Sequence, residues 1–164
     1  MQATTASPAL SYREILQELS GLMTGRWLTD LANTSALLFQ HVPNINWVGF
    51  YLTEIMDPVT AKENVLWLGP FQGLPACTLI PFSKGVCGSA ATNKKSVRVE
   101  NVDSFPGHIV CDSRSKSEVA VPVVVRDRVI GILDVDSATV GRFTMKDQDF
   151  FEAVVQILLE KNKL

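Results

Sequence analysis

The stretch EVAVPVVVRDRVIGILDVD, residues 118–136, decides the fold. It contains two runs rich in valine and isoleucine, Glu118–Arg126 and Val129–Asp136, separated by charged residues. Runs of this length and composition on either side of a short polar segment predict two antiparallel strands joined by a tight turn, here at Arg126–Arg128. The rest of the chain is best interpreted outward from this hairpin.

The register of the hairpin is predicted to gather three acids on one face. A three-residue turn sets Glu118 opposite Asp136 and Ala120 opposite Asp134, and opposed residues in an antiparallel pair point to the same face. One face is then aliphatic and suited to the main core: Val119, Val121, Val123, Val125, Val129, Gly131, Leu133 and Val135. The other face holds Glu118, Ala120, Pro122, Val124, Ile130, Ile132, Asp134 and Asp136.

Three carboxylates beside small residues outline a pocket with a negative mouth. The alternative is that strand ends reach solvent and have acidic residues for that reason alone. Carboxylates that repel one another keep one member protonated near neutral pH, and such a group can donate a proton in catalysis. The ionised members can hold a substrate ammonium group.

The remaining chain predicts helices around a β-like middle. Ser11 and Glu14 form a capping-box pattern at the start of a first helix. Further helices are predicted at about Trp27–Gln40, Lys84–Thr92 and Thr144–Lys161, and further strands at Asn46–Glu54, Val65–Leu68, Cys77–Pro81 and Val97–Val99. The second helix is expected to bury Leu28, Leu31, Ala32, Ser35, Leu38 and Phe39. This order predicts an α+β fold with a mainly antiparallel sheet flanked by helices.

Length and composition favour one domain over residues 1–164, with residues 1–10 as a loose lead-in and Met56–Glu63 as a loop. Fifteen lysines and arginines against seventeen acids leave a net charge of −2, so nucleic acid is not an expected partner. No apolar run is long enough to span a bilayer, and the N-terminus has no signal-peptide pattern. Three cysteines, an odd number, favour reduced thiols in the cytoplasm.

The three cysteines differ in their surroundings. Cys77, Cys87 and Cys111 form no C-x-x-C pair, and His108 and Cys111 alone do not supply a metal site, so no metal is expected. Cys87 lies among small residues and suits a buried structural role. Cys111 lies in a long polar segment, 103–117, near His108 and two cations, a setting that lowers a thiol pKa. This segment ends at the acidic cluster.

Two aromatic residues, Trp47 and Tyr51, lie four apart and therefore on the same face of the first predicted strand. Packing in the core and contact with a ligand are equally good interpretations of this pair.

Several motifs together resemble the free methionine-(R)-sulfoxide reductases, which are single GAF-domain enzymes. The similarity extends in order from about Leu31 to Phe143. It rests on NWVGFYL at 46–52, LGPFQG at 68–73, PACTLI at 75–80, KGVCG at 84–88, FPGHIVCDSRSKSE at 105–118 and GILDVDS at 131–137. The three cysteines in combination with GHIVCDS and LDVDS make the resemblance specific. It implies a GAF-like fold.

The resemblance also implies roles for individual residues. Cys111 corresponds to the catalytic cysteine, and Cys77 and Cys87 correspond to candidate resolving cysteines. Glu118, Asp134 and Asp136 match substrate-binding and acid residues, and Trp47 and Tyr51 match aromatic residues around the methyl end of the substrate. The implied activity is reduction of free methionine-(R)-sulfoxide through a sulfenic acid and an intramolecular disulfide, with thioredoxin as reductant and no cofactor. The resemblance is compatible with a homodimer.

Two other interpretations remain open at this point. A GAF-type module could bind a small ligand or sense redox state without catalysis, although modules of that kind are usually joined to output domains. A stand-alone zinc-dependent hydrolase would require metal in the purified protein. A coupled assay with thioredoxin and free methionine sulfoxide discriminates among the three.

Overall fold

The computed structural model describes residues 10–53, 64–107 and 111–164. The predictions for residues 1–9, for the Met56–Glu63 loop and for His108 lie outside these ranges. The helices are α1 (Tyr12–Leu22), α2 (Trp27–His41), α3 (Gly85–Asn93) and α4 (Met145–Asn162), and a 3₁₀ turn covers Val102–Ser104. The strands are β1 (Trp47–Leu52), β2 (Val65–Gln72), β3 (Leu79–Pro81), β4 (Val97–Val99), β5 (Ser117–Val125) and β6 (Arg128–Ser137).

The six strands form one sheet in the order β3-β2-β1-β6-β5-β4. Every neighbouring pair is antiparallel, so the predicted α+β class with an antiparallel sheet is confirmed. The sheet ends on both sides in a strand of only three residues, β3 and β4. The hairpin strands β5 and β6 lie near its centre, between β1 and β4.

The predicted pairing of Glu118 with Asp136 and of Ala120 with Asp134 is confirmed. The predicted turn is wrong by one residue, because Arg128 already belongs to β6. The turn consists of Arg126 and Asp127, which both have positive φ angles, as in the two-residue hairpin turns that match strand twist.

A register shift between Val123 and Val124 absorbs the extra residue of the hairpin. Beyond this bulge Val129 and Ile130 exchange the faces that were predicted for them. Val129 packs on the α3 side of the sheet, and Ile130 packs on the side of the main core. The predicted register fails only between the bulge and the turn, so Glu118, Asp134 and Asp136 lie on their predicted face of the hairpin.

Helices α1, α2 and α4 cover one face of the sheet, and α3 covers the other. The main core joins Ile15, Leu38 and Phe151 to the inward valines of β5 and β6. The second cluster joins Trp47 and Tyr51 to the small residues of α3. Within the described ranges, no helix has the length and apolar character needed to cross a bilayer.

The predicted buried side of α2 is partly wrong. Leu28 is 58% exposed, Phe39 is 39% exposed and Ala32 is exposed as well, whereas Asp30 and Thr34 are fully buried. The Asp30 carboxylate accepts hydrogen bonds from the Thr24 backbone and hydroxyl and from the Gly25 backbone, which turns it inward at the α1–α2 connection. A side chain with three such partners can replace an apolar one at a buried position.

Gly88 lets α3 pack closely against the last residue of β3 and the residue that follows it. A Cβ added there would lie 2.4 Å from the Pro81 carbonyl oxygen, whereas one added at Gly21 on α1 would meet nothing within 4 Å. We therefore expect Gly88→Ala to lower the free energy of unfolding by about 1–3 kcal/mol, as overpacking does. Gly21→Ala should raise it by up to about 1 kcal/mol through helix propensity. Urea denaturation measures both, and equal effects at the two sites would contradict the packing argument.

Candidate active site

A pocket lies between α3, the hairpin and the segment that begins at Cys111. It encloses about 490 Å³, including the part that opens to solvent. Its lining consists of Trp47, Tyr51, Ala76, Ile80, Gly85, Val86, Cys87, Cys111, Asp112, Ser115, Glu118, Asp134 and Asp136. Of the predicted site residues, all but Cys77 line this pocket, and Cys77 is bonded to a residue that does.

The three predicted carboxylates meet on the α3 face of the hairpin, as the register requires. Glu118 and Asp134 are each only 6% exposed. Burial raises the pKa of Glu118, and the charges of Asp134 and Asp136 raise it further. Burial also raises the pKa of Asp134, to about 6, and that of Asp136. Among the residues that the structure describes, no lysine or arginine pairs with any of the three, so the cluster favours protonated carboxyls or an arriving cation.

Cys87 lies beside this cluster on the first turn of α3. Its sulfur is 3.7 Å from Glu118 Oε1, and the residue is 2% exposed. Burial raises the pKa of the Cys87 thiol, and the charges of Asp134 and Glu118 add to the effect. Cys87, Glu118 and Asp134 each offer a donor atom within 4.8 Å of the other two, which makes them the group in the described residues that could hold a metal ion.

Cys77 and Cys111 form a disulfide, with their Cα atoms 5.2 Å apart. The Cα distance lies within the range usual for disulfides. Cys111 lines the pocket, whereas Cys77 follows the lining residue Ala76 in the segment that leads into β3. Cys87 is the free cysteine of the three.

Trp47 and Tyr51 line the pocket with their rings and hold the Cys77 segment with their polar atoms. Trp47 Nε1 donates to the Leu74 carbonyl at 3.0 Å, and the Tyr51 hydroxyl donates to the Cys77 carbonyl at 3.1 Å. Packing in the core is confirmed, because both residues belong to the second cluster, and contact with a ligand stays a prediction, since both residues also line the pocket. Gly73 makes room for the indole, since a Cβ there would lie 2.5 Å from Trp47 Cδ1.

The segment after Cys111 contains site residues that the sequence did not reveal. Asn46 Nδ2 donates to Asp112 Oδ2 at 3.2 Å and to Ser115 Oγ at 3.1 Å, and both acceptors line the pocket. The Arg114 guanidinium hydrogen-bonds the Asp112 carboxylate and lowers the pKa of that group to about 2. The polar segment and the Asn before β1 were visible in the sequence, but the contact between them spans 66 residues.

The two cationic side chains near Cys111, Arg114 and Lys116, each form an ion pair with a carboxylate. The Arg114 guanidinium lies 2.7 Å from Asp112, and Lys116 Nζ lies 3.1 Å from Asp103. Their positive charges are thus shared with neighbouring carboxylates, so the electropositive setting predicted for Cys111 is weaker than the sequence suggests.

Comparisons with known proteins give a consistent result. The GAF domain family model matches residues 12–158. A free methionine-R-sulfoxide reductase of Escherichia coli is 44% identical over 88% of this chain and 84% of its own. The same-named protein of Saccharomyces cerevisiae is 39% identical over 93% of this chain and 88% of its own. The crystal structure of the free methionine-R-sulfoxide reductase of Neisseria meningitidis with its substrate superposes with a TM-score of 0.85, at 37% identity, and covers 99% of this chain and 95% of that one.

The raised pKa of Asp134 predicts a pH-dependent stability. Between its ordinary pKa of 3.8 and its folded value of about 6, the unfolded chain loses the proton while the folded chain keeps it, so stability falls as pH rises. Asp134→Asn removes this effect and should stabilise the protein at pH 7 by about 1–3 kcal/mol. The gain should vanish near pH 4. Chemical denaturation at a series of pH values measures it.

Asp112→Asn is the matched control, because the pKa of Asp112 is lowered rather than raised. This variant should lose stability at pH 7, the opposite sign. A gain for Asp134→Asn that stays constant from pH 4 to pH 7 would contradict the assigned burial cost.

Proposed function

Since the chain belongs to the free methionine-R-sulfoxide reductases, a family of oxidoreductases built on the GAF domain, we propose that this pocket reduces free methionine-(R)-sulfoxide to methionine by thiol chemistry at Cys111. The observation that supports this most directly is the disulfide between Cys77 and Cys111 at the wall of a pocket lined by three carboxyl groups. A thiol that reacts in the pocket thus has a second thiol within bonding distance.

The first step needs a nucleophile and a proton. The Cys111 thiolate attacks the sulfoxide sulfur and forms a sulfur–sulfur bond, while a proton converts the sulfoxide oxygen to a hydroxyl. Transfer of this hydroxyl to the Cys111 sulfur breaks the S–O and S–S bonds to the substrate and releases methionine, which leaves a sulfenic acid on Cys111. The departing oxygen must be protonated. We assign the proton to Glu118, because burial and two neighbouring aspartates raise its pKa and so keep it protonated at neutral pH.

The second step does not yet regenerate a free thiol, but it removes the reactive sulfenic acid from Cys111. The sulfenic acid on Cys111 condenses with the Cys77 thiol, which forms the disulfide and releases water. The Cα separation of 5.2 Å supports Cys77 as the resolving residue. Cys87 is a weaker candidate, because its thiol is buried against Glu118 with a raised pKa. An external dithiol, which we propose to be thioredoxin, then exchanges with the disulfide and restores both thiols.

Substrate binding follows from the chemistry of the lining. Asp134 and Asp136 are proposed to bind the ammonium group, since a neighbouring cation stabilises the ionised form of a carboxyl, which burial disfavours. Trp47 and Tyr51 offer apolar surface to the methyl end. The cycle uses no bound organic cofactor.

We make three further proposals, which concern the location of the protein, its domain organisation and its oligomeric state. We place the protein in the cytoplasm, because the cycle starts from free thiols that a reducing compartment maintains. We treat residues 1–164 as one domain, since one sheet joins the described strands. Two copies are proposed to pair through terminal helices, near which Leu22 and Leu28 expose apolar surface; sedimentation measures this.

Single-turnover experiments test the thiol roles. Without reductant, Cys77→Ser should still release about one methionine per enzyme from free methionine-(R)-sulfoxide, because it keeps the nucleophile. Cys111→Ser should release none, because a hydroxyl is not ionised at neutral pH. Circular dichroism verifies the fold of both. A methionine burst from Cys111→Ser would move the nucleophile to another cysteine and overturn the proposal.

The carboxyl cluster predicts a preference for the free amino acid. A free amino acid has an ammonium group near the sulfoxide, whereas a peptide has a neutral amide there. Pairing that ammonium with a buried carboxylate contributes about 1.5–3 kcal/mol. The kcat/KM for the free amino acid should therefore exceed that for the N-acetylated, C-amidated sulfoxide about ten- to a hundredfold. Assays with separated R and S sulfoxides of both substrates measure this. Equal kcat/KM for the free and blocked forms would contradict the assignment.

The two carboxyl roles separate in the kinetic constants. Glu118→Gln keeps the shape of the side chain but lacks the proton and should mainly lower kcat, whereas Asp134→Asn should mainly raise KM. The reverse pattern would exchange the roles of the two residues.

A further inference from the structure

The donor atoms of Cys87, Glu118 and Asp134 have the spacing of a metal site. One donor atom from each lies within 4.8 Å of the other two. The Cys87 sulfur and Glu118 Oε1 are 3.7 Å apart. A tetrahedral Zn²⁺ with bonds of about 2.3 Å to sulfur and about 2.1 Å to oxygen separates those two ligands by about 3.6 Å. The spacing of the Cys87 sulfur and Glu118 Oε1 therefore matches this separation without rearrangement of α3 against β5.

A second observation points to a missing partner at the same place. Asp134 Oδ1 is buried and has no hydrogen-bond partner among the described residues. The residue is more than nine-tenths buried, and it lines the pocket. A buried polar atom without a partner costs about 1–3 kcal/mol, and a cation in the pocket would satisfy it.

We propose that Cys87, Glu118 and Asp134 form a Zn²⁺ site, with water from the pocket as the fourth ligand. A thiolate with two carboxylates suits zinc, whereas magnesium and calcium prefer sets of oxygen ligands alone. Binding replaces the Cys87 thiol proton and the Glu118 carboxyl proton by bonds to zinc and releases both protons to solvent. No electron is transferred, so the reaction needs no oxidant or reductant.

The zinc site is independent of the disulfide but not of the substrate. Cys87 stays a free thiol when Cys77 and Cys111 are bonded, so both redox forms keep the three ligands. If the proposed function holds, the same carboxyls bind the substrate, and Zn²⁺ and methionine sulfoxide exclude each other. Zinc is then a competitive inhibitor of the reductase, and this consequence rests on the proposed function.

Cobalt spectroscopy on the disulfide form tests the site directly, because Cys87 is then the one free thiol among the three cysteines. Co²⁺ should produce the near-ultraviolet absorption of a cobalt–thiolate bond, and Zn²⁺ should abolish it by displacement. Cys87→Ser should lack the band. Asp134→Asn should weaken Co²⁺ binding at least about tenfold. Asp127→Asn, which removes an exposed carboxylate at the other end of the hairpin, should leave binding unchanged.

A band that persists in Cys87→Ser, or no band in the wild type, would overturn the metal site whatever the enzyme's activity.

Competition between Zn²⁺ and methionine sulfoxide is measured by calorimetry on the Cys77→Ser/Cys111→Ser protein, which has one thiol and cannot turn over. At Zn²⁺ ten times its own Kd, the apparent Kd for methionine sulfoxide should rise about elevenfold. An unchanged Kd beside a confirmed cobalt band would retain the metal site and overturn the exclusion of substrate.

Discussion

The structure depends on the pairing of β5 with β6. That pairing turns the odd-numbered valines of β5 toward the main core and, in the same register, turns Glu118, Asp134 and Asp136 toward α3. A slip of one residue would place acids in the aliphatic core and valines in the pocket. Because both errors are expensive, the hydrophobic effect that fixes the core also fixes the position of the three pocket carboxyls. The register of β5 against β6 therefore determines both the packing of the core and the position of the pocket carboxyls.

The pocket brings together carboxyl and thiol groups whose ionised forms are better solvated in water than in a buried position. Burial keeps the Glu118 carboxyl and the Cys87 thiol protonated, so the pocket holds proton donors beside Asp134, whose pKa is raised to about 6. The surrounding structure supports the arrangement by fixing its movable parts. Trp47 and Tyr51 hold the segment before Cys77, and Asn46 holds the segment after Cys111. Both cysteine segments are therefore tied to β1 or to the residue that precedes it.

Much of this was accessible from the sequence, and the failures have physical causes. Alternation along a strand is a local property, so the pairing of Glu118 with Asp136 could be predicted. The bulge at Val123–Val124 could not, because a bulge leaves the composition of a strand unchanged. The buried side of α2 was misjudged because Asp30 gains its partners only in the folded connection. The contact of Asn46 with Asp112 joins distant parts of the chain, and no local pattern encodes it.

The two short edge strands limit how this molecule meets others. A sheet grows by strand addition when an edge presents a long row of free backbone groups, and β3 and β4 present three residues each. Pro81 also removes one backbone donor from β3. Edge-to-edge polymerisation, the usual hazard of a sheet protein at high concentration, is thereby disfavoured at these two edge strands. Another protein that binds this molecule is expected to contact side chains and loops rather than to add a strand to the sheet.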